Sequence, residues 1–313
     1  NCKLVKKYDS AKKTNNKITD NKKTIVVVVI FTLVLFSILF LTFGIVDDNL
    51  SETSTTMSDY VENLSVTHTI QANSGVPFFD FYVTARGVTD TNNNLTPTDG
   101  VRVTLNPQTP VGVLSSLKPN EGTVVIYPIF TSAAYQDGGF YNYFSGDCDE
   151  SCVTDISFDT PRFLYTSSGL EAQILYHLGY EFLTDIEVDQ NPELLQNYDT
   201  VILLHNEYVT KKMFDAITDH PNLIFLAPNA LYAEIEVDYD TNTITLIRGH
   251  NYPEFEIYNG FDYAVEEKFH HYEYENTCLD WEFIEIENGF HLNCYPGATL
   301  HKNLDILIKM KEL

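Results

Sequence analysis

The sequence has few basic residues outside its first 24 positions. Eight of its 19 Lys and Arg residues lie within those 24 positions. Residues 47–313 therefore hold 11 basic against 42 acidic residues, a net charge of −31. Affinity for nucleic-acid backbones comes from Lys and Arg, so this composition argues against nucleic acid as a partner. An acidic excess of this kind is most often a solvated surface that keeps a protein soluble.

Two common signatures of hydrolases are also missing. The usual amidotransferase reaction needs a cysteine on a strand-to-helix turn, with a histidine base oriented by a carboxylate. The turn after the predicted strand at 222–227 holds Pro228, Asn229 and Ala230 instead. No G-x-S-x-G sequence is present, so the serine turn of the α/β hydrolases is missing as well. The sequence thus excludes both of these nucleophiles at their usual places.

One long apolar run is present, Ile25–Val46, without a charge; Lys22 and Lys23 lie just before it, separated by Thr24. A helix needs about 20 apolar residues to span a bilayer, and the apolar part of a secretory signal is shorter. The run therefore predicts one transmembrane helix. Lys and Arg beside a span stay on the cytoplasmic side. We expect a single-pass protein of the cell membrane, with a cytoplasmic N-terminus and an extracytoplasmic C-terminal domain.

Four cysteines follow this run, an even number that suggests two disulfides in an oxidising compartment. Three pairings are possible. Proximity in the sequence favours Cys148–Cys152 and Cys278–Cys294. A zinc site is less favoured because its ligands need close spacing, and here the two pairs are far apart.

The part after the run divides by composition into a stalk, a β-rich extension and an α/β domain. Alternation of apolar and polar residues from Phe79 to Ala85 is typical of a strand, and we expect this extension to form a small β module or to pack on the α/β domain after it. The predicted organisation is a basic cytoplasmic tail at 1–24, a transmembrane helix at 25–46, a polar stalk at 47–66, a β-rich extension at 67–120 and an α/β domain with a β-rich C-terminal part at 121–313.

Within 121–313, apolar strands alternate with helices. This order predicts a parallel sheet with helices on both faces, as in flavodoxin-like folds, with β additions. A capping box of Ser168 and Glu171 predicts a helix that ends at Gly179, and Thr210 is expected to cap another. The predicted strands are 123–129, 181–188, 200–204, 222–227, 243–247 and 281–286.

Polar side chains follow these apolar strands abruptly. His205 and Glu207 follow the strand at 200–204, Asn229 follows the strand at 222–227, and Tyr135 lies in the loop after 123–129. In an open parallel sheet, ligands bind outside the carboxyl ends of the strands. The sequence therefore predicts a functional site at this edge.

The same residues carry a resemblance to a known family. The segment from Tyr198 to Thr210, YDTVILLHNEYVT, resembles the GHDEYWS segment in the C-terminal domain of the N,N-dimethylformamidase large subunit. The similarity covers about a third of the chain, residues 121–235. It includes Thr131-x3-Tyr135, Gly138-Gly139, Ser157-Phe-Asp-x-Pro161 and Phe225-Leu-Ala-x-Asn229.

The resemblance implies an amidotransferase-like fold and hydrolysis of a small amide at a mononuclear iron held by two tyrosines and a glutamate. By position, Tyr135 and Glu207 would be ligands, and His205, Glu207 and Asn229 would be the catalytic residues. The family has its second tyrosine close after a proline. Here Arg162 follows Pro161, and the nearest tyrosine, Tyr165, would be the third metal ligand. Oxygen ligands of this kind suit Fe(III).

Structural roles are open for the same residues. His205 can bond the backbone at a strand end, and Glu207 can cap the next helix, where the helix dipole favours a carboxylate. Tyr135 can serve packing and Asn229 a turn. The alternative function is a non-catalytic surface or structural module that binds a ligand or a partner through the same edge of the sheet.

Overall fold

The computed structural model describes residues 69–72, 78–84, 87–89, 95–97, 101–159, 163–262, 278–298, 300 and 303–313. The chain divides into two compact units, 1–55 and 56–313, and every described residue belongs to the second. The predicted cytoplasmic tail, the transmembrane helix at 25–46 and the stalk lie outside the described residues. Within the described ranges, no helix is both long enough and apolar enough to cross a membrane.

The described residues form a mixed α/β structure. Its strands are β1 Thr69–Ala72, β2 Phe79–Thr84, β3 Gly87–Thr89, β4 Leu95–Pro97, β5 Val101–Leu105, β6 Thr123–Tyr127, β7 Ile156–Ser157, β8 Glu181–Thr184, β9 Thr200–Leu203, β10 Tyr208–Thr210, β11 Leu223–Phe225, β12 Ala233–Asp238, β13 Thr243–Arg248, β14 Phe283–Ile286 and β15 Gly289–Leu292.

The α-helices are α1 Val111–Leu117, α2 Ile129–Ala134, α3 Phe140–Ser145, α4 Gly169–Leu178, α5 Asp185–Gln190, α6 Lys211–Thr218 and α7 Leu304–Glu312. Short 3-10 helices lie at Glu150–Val153, Tyr165–Ser167, Pro192–Asn197 and Pro296–Ala298.

A six-stranded sheet forms the centre, in the order β14-β15-β11-β9-β6-β8. Strands β15, β11, β9, β6 and β8 are parallel, and β14 is antiparallel to β15. All residues of β6 and β11 are buried. Because successive side chains of a strand point to opposite faces, both faces of the sheet are covered here. The prediction of a parallel sheet from apolar strands is confirmed.

A second sheet has the order β10-β12-β13-β7 and lies beyond the end of β9. Its first strand, β10, is parallel to β12 and begins directly after Glu207. The backbone amides of Tyr232 and Ala233 both donate to the Glu207 carbonyl, at 2.9 Å. The sequence did not predict β10, because its three residues follow the polar residues His205, Asn206 and Glu207 and are too few to form a clear strand pattern.

The β-rich extension packs on helix α4. Strands β1, β2 and β5 form one antiparallel sheet. The Val103 amide of β5 donates to the Gln173 side chain at 2.9 Å, and the His177 ring lies 2.8 Å from the Val103 carbonyl. Gln173 and His177 are one turn apart on α4, so a single helix face holds the edge of this sheet.

Two local predictions are wrong. Ser168 lies in the left-handed region with φ 57° and makes no capping bond, so it forms no capping box with Glu171. Its hydroxyl instead accepts the His205 amide at 3.0 Å. The predicted strand at 181–188 is β8 followed by α5. Thr184 and Glu187 form a capping box there, which starts a helix in the middle of the range.

Other local predictions are confirmed. Thr210 caps α6 by accepting the Met213 amide at 3.1 Å, and Gly179 ends α4 in the left-handed conformation. Both predicted disulfides, Cys148–Cys152 and Cys278–Cys294, are present.

Candidate functional site

The predicted edge of the central sheet holds a buried cluster of polar side chains. His205, Asn206 and Glu207 fill the gap between β9 and β10, and each is 2% exposed or less. Thr131 of α2 fixes this gap, because its hydroxyl accepts the amides of Glu207 and Tyr208 at 3.1 and 3.3 Å. Since α2 follows β6 directly, two neighbouring parallel strands position the cluster together.

Glu207 lies between two histidines. The Nε2 atom of His205 is 3.0 Å from Oε2 of Glu207, and the Nε2 atom of His250 is 2.7 Å from Oε1. Burial alone would raise the pKa of the Glu207 carboxyl, but the charges of His250 and His205 lower it well below its usual range. The site therefore keeps an ionised carboxylate in its interior.

Each ring nitrogen of His205 faces an oxygen atom. Nδ1 lies 2.5 Å from the Thr166 carbonyl and 2.7 Å from the Tyr295 hydroxyl, and Nε2 faces Glu207. Burial lowers the pKa of His205, but Glu207, the Thr166 carbonyl and Glu171 raise it above its usual value overall. This environment favours the ring with protons on both nitrogens.

Tyr135 lies against this pair. Its ring centroid is 5.4 Å from that of His205, and the charge of Glu207 acts on its hydroxyl. Burial, and then the charge of Glu207, raise the pKa of Tyr135 well above its usual value, so the phenol is neutral and can donate. Tyr141 stacks on Tyr135 with centroids 4.8 Å apart and is 43% exposed. The cluster thus lies one aromatic layer below the surface.

Asn229 is buried in the turn after β11, and its Oδ1 atom has no hydrogen-bond partner within the described structure. The end of this turn joins the site through the backbone, since the Leu231 amide donates to the Asn206 carbonyl at 2.8 Å. Tyr165 begins the 3-10 helix whose Thr166 carbonyl contacts His205. The ligand role expected of the Tyr165 side chain lies outside the described part of the structure.

The structure thus brings Tyr135, His205 and Glu207 into contact and places Asn229 in an adjacent turn. Residues 56–269 match the family described as N,N-dimethylformamidase beta subunit-like, C-terminal. The chain belongs to this family. The matched residues include every side chain that the sequence predicted for the site. No curated protein matches the chain.

Sequence reasoning missed two residues of this site, His250 and Tyr295. His250 is buried in a left-handed turn with φ 51°, among the rings of Phe144, Tyr208 and Tyr232 at centroid distances of 4.8 to 5.3 Å. Arg248 and Gly249 separate His250 from the predicted strand at 243–247, whereas His205 follows its strand directly, so the rule that found His205 did not point to His250. For Tyr295, the only local signal in the sequence was its position next to Cys294, a cysteine of a predicted disulfide.

A further carboxyl lies behind His205 in the dimethylformamidase-like domain. Glu171 of α4 is 1% exposed, and its Oε2 atom has no hydrogen-bond partner among the described residues. Burial raises the pKa of Glu171 to about 7, although the charge of His205 opposes that shift. Glu171 therefore changes charge near neutral pH, while Glu207 does not.

Proposed function

We propose that this dimethylformamidase-like domain hydrolyses small amides at the cluster of Tyr135, His205 and Glu207. The observation that carries the proposal is an ionised carboxylate held between two imidazoles at the carboxyl edge of a parallel sheet, where such folds bind ligands. Membership of the dimethylformamidase-like family supports an amide as the substrate class. A buried charge cluster of this kind is costly to maintain, and perturbed groups concentrate at functional sites.

The chain's own groups suit the charge changes of amide hydrolysis. The amide carbonyl oxygen gains negative charge as water adds, and donors placed at that oxygen stabilise the transition state. The neutral phenol of Tyr135 and the protonated ring of His205 are two such donors. The leaving nitrogen needs a proton, which His205 can supply as a general acid, and the ionised Glu207 can take the proton that the attacking water loses. The buried amide of Asn229, whose Oδ1 atom has no hydrogen-bond partner among the described residues, is available to accept from the substrate N–H group.

The resemblance also implies an iron ion, and the donor chemistry here fits one. The ionised Glu207 would offer a carboxylate, and Tyr135 would offer a phenolate once metal binding displaces its proton; such oxygen donors suit Fe(III). We propose that they would hold it, with Tyr165 as the third ligand. When bound, the ion would polarise the amide carbonyl or activate a water molecule.

The arrangement of His205, Glu207 and His250 is of a different kind. In the part of the chain that is described, no three His, Cys, Asp or Glu side chains are grouped to share a metal ion. His205 and His250 contact opposite oxygens of Glu207 and therefore face the carboxylate, not a common point. The two histidines hold the carboxylate in place, and tyrosines would have to complete any ligand set.

The proposal also includes an amidotransferase-like fold and a membrane anchor that displays the domain outside the cytoplasm. The parallel order of β15, β11, β9, β6 and β8 supports an amidotransferase-like fold. The charge-free run at 25–46 supports a membrane anchor, with eight lysines before it that support display of the domain outside the cytoplasm.

The direct test measures release of amine or ammonia from a panel of small amides by residues 47–313, together with the iron content of the purified protein. Glu207→Gln should abolish release and lower the iron content, whereas Glu236→Gln, a matched change on the exposed part of β12, should do neither. Equal rates for the wild type and Glu207→Gln would overturn the proposal.

One observation favours the alternative, a non-catalytic binding module. Both oxygens of Glu207 already face imidazole nitrogens, and the side chain is 1% exposed, as in a purely structural network. In that case amides would bind without turnover, and calorimetry would detect binding that Tyr141→Ala weakens. Turnover of any amide in the panel would decide against this alternative.

A further inference from the structure

Tyr295 reaches the site from outside the part of the chain that matches the family, which ends at residue 269. Its hydroxyl lies 2.7 Å from Nδ1 of His205 and 3.3 Å from Nε2. The two rings are nearly perpendicular, with centroids 5.4 Å apart. Tyr295 therefore contacts the histidine that we place at the centre of the reaction.

The fold explains how a C-terminal residue arrives there. Strand β15 is parallel to β11, so its carboxyl end lies at the same edge of the sheet as the ends of β6, β9 and β11. Tyr295 follows that end by three residues. Asn293 fixes the path between them, because it exchanges two hydrogen bonds with Glu282, at 2.8 and 3.1 Å.

A covalent bond holds the same segment. Cys294, the residue before Tyr295, is fully buried and bonded to Cys278. The disulfide and strand β15 together fix the backbone on the N-terminal side of Tyr295. The tyrosine is thus held in place without depending on its own contact with His205.

The contact constrains the His205 ring. The Thr166 carbonyl accepts from Nδ1–H, and the Tyr295 oxygen lies within reach of the same N–H group. With Nδ1 facing these two oxygens, Nε2 is directed at Glu207. A base or acid oriented by a further group is a recurring arrangement in hydrolases.

We propose that Tyr295 is a positioning residue that holds the His205 ring in register with Glu207, and that the Cys278–Cys294 disulfide in turn holds Tyr295. The effect on amide hydrolysis rests on the proposed function. The effect on the His205 ring does not, and the experiment separates the two.

The first arm uses nitrogen NMR of His205 at one fixed pH, with its signals assigned by their loss in His205→Gln. Tyr295→Phe should shift the Nδ1 resonance. Tyr198→Phe is the matched control, since it removes a tyrosine hydroxyl that donates to Glu181 at 2.6 Å, at the opposite end of β9. An unchanged Nδ1 resonance in Tyr295→Phe, or the same shift in both variants, would overturn the proposal.

The second arm removes the disulfide. The double variant Cys278→Ser with Cys294→Ser should shift the Nδ1 resonance in the same direction, and adding Tyr295→Phe should change it little further, because both act through one contact. The control removes the other disulfide, with Cys148→Ser and Cys152→Ser. A Nδ1 resonance that stays in place without the Cys278–Cys294 bond would overturn the role of the disulfide. The Tyr295→Phe variant would still decide whether Tyr295 holds the His205 ring.

The third arm measures kinetics on an amide that the wild type hydrolyses. Tyr295→Phe should lower kcat about 10-fold or more with little change in KM, as is typical when a partner that orients a catalytic group is lost. An unchanged kcat would contradict the positioning role. If the wild type hydrolyses no amide, the proposed function fails, while the NMR result still decides whether Tyr295 holds His205.

Discussion

The Nε2 atom of His250 lies 2.7 Å from the Oε1 atom of Glu207, and both side chains are buried. This contact joins the turn after β13 to the gap between β9 and β10. It also gives the buried carboxylate a second imidazole, beside His205. Imidazoles from two separate segments of the chain thus face the charge of Glu207.

The first prediction concerns this contact. His250→Asn should destabilise the domain by about 1–3 kcal/mol, because a buried carboxylate loses one of its two partners. Urea unfolding of the domain measures the free energy. Lys211→Met is the control: it removes an ion pair with Asp215 in which both side chains are more than half exposed, and such pairs contribute about 0–1 kcal/mol. Equal losses in the two variants would contradict the central place of His250.

The second prediction is a pH dependence that comes from Glu171. Burial raises the pKa of Glu171 from 4.5 to about 7, so between these values the folded protein binds more protons than the unfolded chain. The free energy of unfolding then falls as pH rises through this window. By full ionisation the loss is on the order of 3 kcal/mol, since one pKa unit corresponds to about 1.4 kcal/mol.

Glu171→Gln should remove this fall, so the variant gains stability relative to the wild type as pH rises from 4.5 to 7. Urea unfolding at several pH values tests it. Glu193→Gln, on the exposed side of a 3-10 helix, is the control and should leave the wild-type slope intact. A Glu171→Gln variant that keeps the wild-type slope would exclude Glu171 as its source.

The third prediction concerns the capping box that starts α5. Thr184→Ala should cost about 0.5–2 kcal/mol, because the Glu187 amide loses its side-chain acceptor. Thermal or urea unfolding measures the loss. Thr154→Ala, at an exposed position, is the control. A loss no larger than that of the control would mean that α5 is held by packing alone.

How far the sequence predicted the fold depends on how local each signal is. Strands β6, β9 and β11 were predicted because strands covered on both faces are continuous apolar runs. His205 and Glu207 were found because polar residues end such a run. The pairing of Cys278 with Cys294 also followed from short separation in the sequence.

The parts that were missed depend on contacts between distant segments. Ser168 has the sequence of a helix cap, but its left-handed backbone turns the hydroxyl toward the His205 amide. His250 and Tyr295 join the site through turns and strand order that no local pattern encodes. The capping box of Thr184 and Glu187 was a local signal, and it was overlooked because the apolar residues around it suggested one strand.

The fourth prediction concerns topology, which is proposed from residues 1–46. Protease added to intact cells should remove residues 47–313, because eight lysines before the apolar run favour a cytoplasmic N-terminus. Immunoblotting of the cells with an antibody to the domain measures its loss. A domain that resists protease until the membrane is broken would reverse the orientation.

The central claim is that amides bind and react at the Glu207 cluster. The most direct measurement is a crystal structure of Glu207→Gln, the variant expected to be inactive, with a small amide bound. The account predicts the amide oxygen within about 2.6–3.2 Å of the Tyr135 hydroxyl or a His205 ring nitrogen, the reach of a hydrogen bond. An amide bound elsewhere on the domain, with this cluster unchanged, would contradict it.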